Sequence, residues 1–154
     1  MSDFNFVILR INLSRKQIQE QSIHPSLMDK FLGGRGLGAR ILFDELAPHV
    51  DALGGENKLL FLTGPLIGTG APWCVKYTVV TKSPLSETIL MSLAGGFFGP
   101  HLRFAGYDGL IIEGQSDEPI YLWIDNGRVE FRSATHLWGM TTDECQNTIC
   151  KELN

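Results

Sequence analysis

Two glycine-rich runs hold the residue types and spacings most able to do chemistry. Gly64, Gly68 and Gly70 share one short run with Pro65 and Pro72, and Gly95, Gly96 and Gly99 share another. Glycine lets a backbone turn with φ > 0 and approach a guest without a Cβ in the way. Proline fixes φ and stiffens the ends of such a loop. Two stiff, side-chain-poor loops at strand ends can hold an anion through main-chain N–H groups, although the same residue types also build ordinary turns. Lys76 follows the first run and leads into VKYTVVT. A cation beside main-chain donors suits a phosphate or pyrophosphate, with an exposed strand lysine as the plainer reading.

A third run, Gly34-Arg35-Gly36-Leu37-Gly38-Ala39, formally matches G-x-G-x-x-A. A dinucleotide fingerprint of that form follows a parallel strand, whereas here a helical pattern precedes it, so no Rossmann site is expected. Arg35 and the amides of residues 36 to 38 could meet a phosphate at a helix N-terminus. Close helix packing accounts for these glycines equally well.

Other chemistries find little support. Cys145 and Cys150 have the wrong spacing for C-x-x-C, Cys74 is remote, and His24, His49, His101 and His136 form no ligand-spaced pair. Zinc and iron–sulfur sites normally take four protein ligands, so no intrachain cluster is expected. Cys145 reads as core and Cys150 as half-exposed. Neither a G-x-S-x-G elbow nor a P-loop occurs. Asp44-Glu45 and Asp143-Glu144 are adjacent carboxylates that would not face each other on a helix, and they read as solvated surface.

The elements that must position these runs come from a chain of 154 residues, 44% hydrophobic and 19% charged, with a formal net charge of −4. That is a globular composition, long enough for one sizeable core, and a single domain over 1–154 is expected. The charge offers no footprint for nucleic acid, and no apolar run approaches the ~18 residues that would cross a bilayer. No secretory signal pattern opens the chain and the cysteines are three, an odd number. The expected compartment is therefore the cytoplasm.

Alternation predicts strands over 4–12 and 17–23, joined as a hairpin. A helix follows from Ser26 or His24-Pro25, with Leu27, Met28, Phe31 and Leu32 as its apolar stripe. A second helix is expected to begin near Gly36, a pattern that Leu37, Ile41 and Leu42, and later Phe43 and Leu46, suit. Further strands are predicted at 58–63, 75–81, 88–92 and 110–113, with a short helix over 97–104 that admits Pro100 only in its first turn. Asn126-Gly127 joins strands 120–125 and 128–132 as a two-residue hairpin. Thr142 is expected to cap a last helix bearing Cys145, Ile149 and Leu153. The fold class is α+β, with antiparallel or mixed sheets and a few helices. Strand-rich stretches before and after the 25–47 helices suggest a duplicated helix-plus-sheet unit.

The runs GPLIGTGAP, YTVVTKSPL, AGGFFG and FAGYDGLIIEG occur in order with RINLS, FLGGRGLGARILFDEL, ENKLLFLTGPL and HLWGMTT. Together they resemble the N-terminal domain of the aldehyde ferredoxin oxidoreductase family over nearly the whole chain. The resemblance implies a base on which a tungsten or molybdenum bis-pterin cofactor rests, with Lys76, Leu93, Gly95 and Gly96 as the cofactor-binding positions. The family usually has Arg where Lys76 stands, and lysine keeps the charge but loses the two-pronged donor. It commonly has Asn where Leu93 stands, beside a magnesium that bridges the two pterin phosphates, a contact Leu93 could supply only through its main-chain carbonyl.

No catalytic residue is implied in this chain. The family's second pterin-contacting segment, iron–sulfur cysteines and substrate pocket lie downstream, so the implied partners are downstream domains or a subunit acting in trans, and ferredoxin indirectly. The implied reaction takes an aldehyde and water to a carboxylic acid, with electrons passed through an iron–sulfur cluster supplied outside this chain. The alternative is a non-catalytic, self-associating module or relic that keeps the fold without the cofactor, its exposed apolar surface driving association.

Overall fold

Strand Phe6–Asn12 (β1) is apolar on both faces, and both are buried. Phe6 and Ile8 enter one hydrophobic cluster, while Leu9 and Ile11 enter another. Such a strand belongs in the middle of a sheet covered on both sides. The computed structural model, which describes residues 5–153, places it there. Phe4, included in the expected strand, lies outside the described residues.

The neighbouring strand Gln17–Ile23 (β2) is mostly polar and exposed, as suits an edge. Strands Lys58–Leu62 (β3), Tyr77–Lys82 (β4), Ile89–Ala94 (β5) and Gly109–Glu113 (β6) complete a six-stranded sheet of order β2-β1-β6-β3-β4-β5. β1 and β6 pair in parallel and the other neighbours are antiparallel. The architecture is α+β with a mixed sheet, as expected. Strands from before and after the helices share this one sheet rather than forming two units, because β6 inserts between β1 and β3.

One face is covered by helices Pro25–Phe31 (α1) and Gly34–Glu45 (α2). His24 caps α1 through its ring nitrogen, which accepts from the Ser26 N–H at 3.3 Å. The helix ends at Leu32, whose φ of 57° turns the chain. Leu32 is therefore 67% exposed and leaves the stripe expected of it. α2 starts two residues before the expected Gly36, because Gly33 (φ 95°) and Gly34 (φ 49°) make the turn that launches it. Leu37, Gly38, Ile41 and Leu42 are buried, but Phe43 is 76% exposed, on the solvent side rather than in the core. A Cβ added to Gly38 would lie 2.6 Å from Val80 Cγ2, so this glycine lets α2 approach β4 closely.

The other face carries helix Phe98–Phe104 (α3) and the hairpin of Ile120–Asp125 (β7) with Arg128–Ser133 (β8). Leu102 and Tyr107 pack with Leu9, Ile11 and Leu110, and the hairpin adds Leu122, Ile124, Val129 and Phe131. The last helix is Thr142–Leu153 (α4). Its cap is Thr141, one residue before the expected Thr142. Glu144 accepts from the Thr141 N–H at 2.9 Å and its own N–H donates to Thr141 Oγ1 at 3.4 Å, a capping box. Accepting from the Thr141 main-chain N–H also holds the Glu144 carboxylate below its usual range. Cys145 is half-buried rather than core, and Cys150 is exposed.

Candidate functional site

The strand registers decide where the glycine runs lie. Leu62 at the end of β3 pairs with Thr78 near the start of β4, and Tyr77 pairs with Ala94 at the end of β5. Leu62 also pairs with Gly109 at the start of β6. The segment after β3 and the turn after β5 therefore leave the sheet at the same end. One step beyond the Tyr77–Ala94 pair stand Lys76 and Gly95.

Side-chain contacts reinforce this placement. Phe98, just past Gly96, has its ring centroid 4.7 Å from that of Tyr77, just past Lys76. Phe61 closes the triangle at 6.2 Å from Tyr77 and 5.9 Å from Phe98. A Cβ added to Gly99 would lie 3.4 Å from the Val75 carbonyl oxygen, and one added to Gly68 would lie 3.3 Å from Arg103 Cβ. The first run thus lies against α3, the helix that the second run begins.

The third run joins them. The Gly34 N–H donates to the Thr63 carbonyl at 2.9 Å, so the start of α2 meets the root of the 64–72 loop. A Cβ on Gly33 would come within 2.8 Å of that carbonyl oxygen. All three glycine-bearing segments converge on one end of the sheet.

This end is open. A Cβ added to Gly64, Gly70, Gly95 or Gly96 would meet nothing within 4 Å. Gly96 sits at φ 82°, a conformation that side-chain-bearing residues rarely take. Lys76 and Arg35 are exposed, and among the described residues neither has an ion-pair partner. β4 begins at Tyr77, so Lys76 lies in the connection and not on the expected 75–81 strand. Leu93 lies on β5, the sheet's outer strand, with 45% of its surface exposed. Trp73, at φ 65° and 94% exposed, is a further large apolar side chain in the first segment. The donors, cations and free space suit an anionic guest with apolar parts. Among the described residues no group of three His, Cys, Asp or Glu side chains converges as a metal-ligand set.

Beneath the opening lies a polar group that the sequence reading did not single out. Asp108 is 5% exposed, accepts from the Val7 N–H at 2.7 Å and pairs with Arg103. Burial raises its pKa above the usual carboxylate value, opposed by the Val7 N–H and by the Arg103 charge. The only hint in the sequence is a lone acid just before an apolar strand.

The opposite end of the sheet is closed by charges. Arg10 lies 2.7 Å from Glu45 and 3.4 Å from Glu113, and Lys58 lies 2.6 Å from Glu113 and 3.6 Å from Glu45. Glu45, which was expected to be merely solvated, is therefore part of a network. Asp44 pairs with Arg40 on the helix surface at 2.7 Å.

Comparison with known proteins gives a consistent picture. Residues 8–154 match the family model described as aldehyde ferredoxin oxidoreductase, N-terminal domain. The tungsten-containing aldehyde ferredoxin oxidoreductase of Thermococcus kodakarensis is 46% identical over 94% of this chain and 24% of its own length. An aliphatic sulfonate oxidoreductase, WOR-like subunit, of Pyrococcus furiosus is 43% identical over all of this chain and 25% of its own length. Among solved structures, the active site complex BamBC of benzoyl coenzyme A reductase, in complex with 1,5-dienoyl-CoA, superposes with a TM-score of 0.95. It is 38% identical and covers 98% of this chain and 24% of that one. The chain spans about a quarter of the length of the relatives it matches. No helix among the described residues is long and apolar enough to cross a membrane.

Proposed function

Because this chain belongs to the aldehyde ferredoxin oxidoreductase family and spans its N-terminal domain, we propose that it is the platform for a tungsten or molybdenum bis-pterin cofactor. The observation that carries this reading is the convergence of residues 64–76, the Gly95–Gly96 turn and the start of α2 on one open end of the sheet. The residues present fit the group. Open space over Gly64, Gly95 and Gly96 is a cradle that any Cβ would begin to fill. The amides of Gly95 and Gly96 would donate to the cofactor's phosphate-bearing parts, and Lys76 would supply the opposing charge. Leu93 would offer its main-chain carbonyl to a magnesium ion. β5 is an outer strand, so part of its main chain has no ladder partner.

When bound, the metal centre would supply the two-electron redox chemistry of the family. This chain's residues would hold and orient that group, with no catalytic side chain of their own. The implied overall reaction is aldehyde plus water to carboxylic acid, with electrons leaving through an iron–sulfur cluster and ferredoxin outside this chain. Relatives named for an aliphatic sulfonate and for benzoyl coenzyme A carry the same domain. The cytoplasm suits the free state of all three cysteines.

The test is to assemble the chain with the downstream family region, in cis or in trans, and assay for tungsten, molybdenum and pterin. Stoichiometric metal and pterin are expected. An assembled protein that holds neither, under conditions that load a relative, overturns the proposal. The exposed apolar side chains Trp73, Leu85, Leu93 and Phe97 favour a second reading, a self-associating module without cofactor. A metal-free oligomer from gel filtration that stays metal-free after assembly with the downstream region is its signature.

A further inference from the structure

Resting on that platform reading, we propose that Asp108 is the positioning residue of the seat, its buried carboxylate and adjoining main chain tying together the roots of all three glycine-bearing segments. Glycine-rich segments have few side chains to fix their direction by packing, Ile67 in the first loop being a buried exception, so much of their placement has to come from where they are rooted. Two such roots meet at Asp108, and the third reaches it through Thr63.

The first is the 64–72 loop. The Asp108 carbonyl accepts from the Thr63 N–H at 2.9 Å and from the Thr63 hydroxyl at 2.7 Å, and Thr63 is fully buried. The second is the start of α2, whose Gly34 N–H donates to the carbonyl of the same Thr63 at 2.9 Å. The third is α3, which the Gly95–Gly96 turn begins. Its Arg103 pairs with Asp108, and Gly68 packs within 3.3 Å of Arg103 Cβ when a Cβ is built on it. Asp108 is itself fixed to β1, accepting from the Val7 N–H and donating its own N–H to the Val7 carbonyl, each at 2.7 Å.

A buried ion pair is a poor way to gain stability, since desolvation offsets most of the attraction, and an apolar pair of similar volume often does as well. It is an effective way to fix direction, because a misplaced partner leaves a buried charge unsatisfied. Burial raises the Asp108 pKa, and the Val7 N–H and the Arg103 charge offset that desolvation only in part. Preorganisation of main-chain donors is the return, since donors already in place need no reordering when an anion arrives.

The experiment has two arms. In the first, amide exchange is measured on this chain with Asp108→Asn, which keeps the shape but removes the charge facing Arg103. Exchange at Gly34 is expected to accelerate at least tenfold more than at the fully buried Val80 in the interior strand β4. Equal acceleration at both would mean ordinary destabilisation and would overturn the inference.

In the second arm, tungsten release is followed from the protein assembled with its downstream region. Asp108→Asn is compared with Leu42→Ala, a core change remote from the seat, each held equally far below its own melting midpoint. Release about tenfold faster from Asp108→Asn is expected. Equal release from the two variants overturns the inference while leaving the platform reading intact. A wild-type assembly without tungsten or molybdenum sinks the platform reading and the inference with it. Should Asp108→Asn not fold, Thr63→Val removes only the hydroxyl given to the Asp108 carbonyl. It must show the same selective acceleration at Gly34, and a uniform or absent change overturns the proposal.

Discussion

Where β1 and β6 finish and β3 begins, Arg10, Lys58, Glu45 and Glu113 close a network whose side chains are only 13–29% exposed. Where the same strands have their other ends, glycines face open space, Lys76 and Arg35 stand without ion-pair partners among the described residues, and Trp73, Leu93 and Phe97 lie exposed. The first end finds its partners within the chain. The second leaves main-chain donors, cations and apolar side chains open, which on the proposed reading is where the cofactor would rest. Large apolar side chains left exposed at one end of a fold are a mark of an interaction site. The difference separates the residues that make this domain fold from those that make it useful.

If that separation is real, substitutions should sort by location. Leu62→Ala empties a fully buried position on β3 and is expected to cost about 2–5 kcal/mol in chemical denaturation. Leu93→Ala, on the exposed outer strand, is expected to stay within about 0.5 kcal/mol in the isolated chain. Comparable losses at the two positions would break the comparison. Gly96→Ala falls between them. Its φ of 82° opposes any Cβ, so about 1–2 kcal/mol is expected even though the space around it is free.

The closed end should reveal itself by pH. Burial alone would raise the pKa of Glu113, but hydrogen bonds from Lys58 and Asn12 and the charges of Lys58 and Arg10 outweigh it and hold the group below the usual carboxylate range. A depressed folded pKa contributes stability above the unfolded value, about 4.3, and loses it as pH falls through the folded one. Glu113→Gln should therefore cost about 1 kcal/mol at neutral pH, and the difference from wild type should vanish in acid. Asp108 runs the other way. Its raised pKa gives a contribution that is full below the unfolded value and is lost as pH rises through the folded one. A Glu113→Gln deficit that persists unchanged in acid would show that the network is not what closes this end.

What could be read from the sequence was local. β1 and its hairpin partner, the Asn126–Gly127 turn and the short helix around Pro100 depend on residues a few positions apart, and all appear. What could not be read depends on distant partners. Leu32 looks like one more member of an apolar stripe until the chain turns there at φ 57°. The start of α2 is tied to the Thr63 carbonyl by the Gly34 N–H, a contact that no periodicity announces. Asp108 is a single acid in FAGYDG, and its partners Val7 and Thr63 lie 101 and 45 residues away. The glycine runs themselves were legible as loops. Their meeting at one end was not, because that follows from the strand order.

The smallest stability effect is expected where the functional one should be clear. Lys76 is exposed and lies outside the strand, so Lys76→Ala should change the isolated chain's stability by no more than about 0.5 kcal/mol. In the assembled protein, the same change would remove a charge-assisted contact to a phosphate, of about 1.5–3 kcal/mol. Tungsten or molybdenum retention, measured by metal analysis after dialysis, should then fall by roughly ten- to a hundredfold. Lys76→Arg should hold the metal at least as well, because a guanidinium keeps the charge and adds a planar pair of donors. An alanine variant that retains metal as wild type does would remove Lys76 from the seat, leaving main-chain amides and Arg35 to hold the guest. The open end would then owe its shape to the neighbouring domains and not to the cofactor's charge.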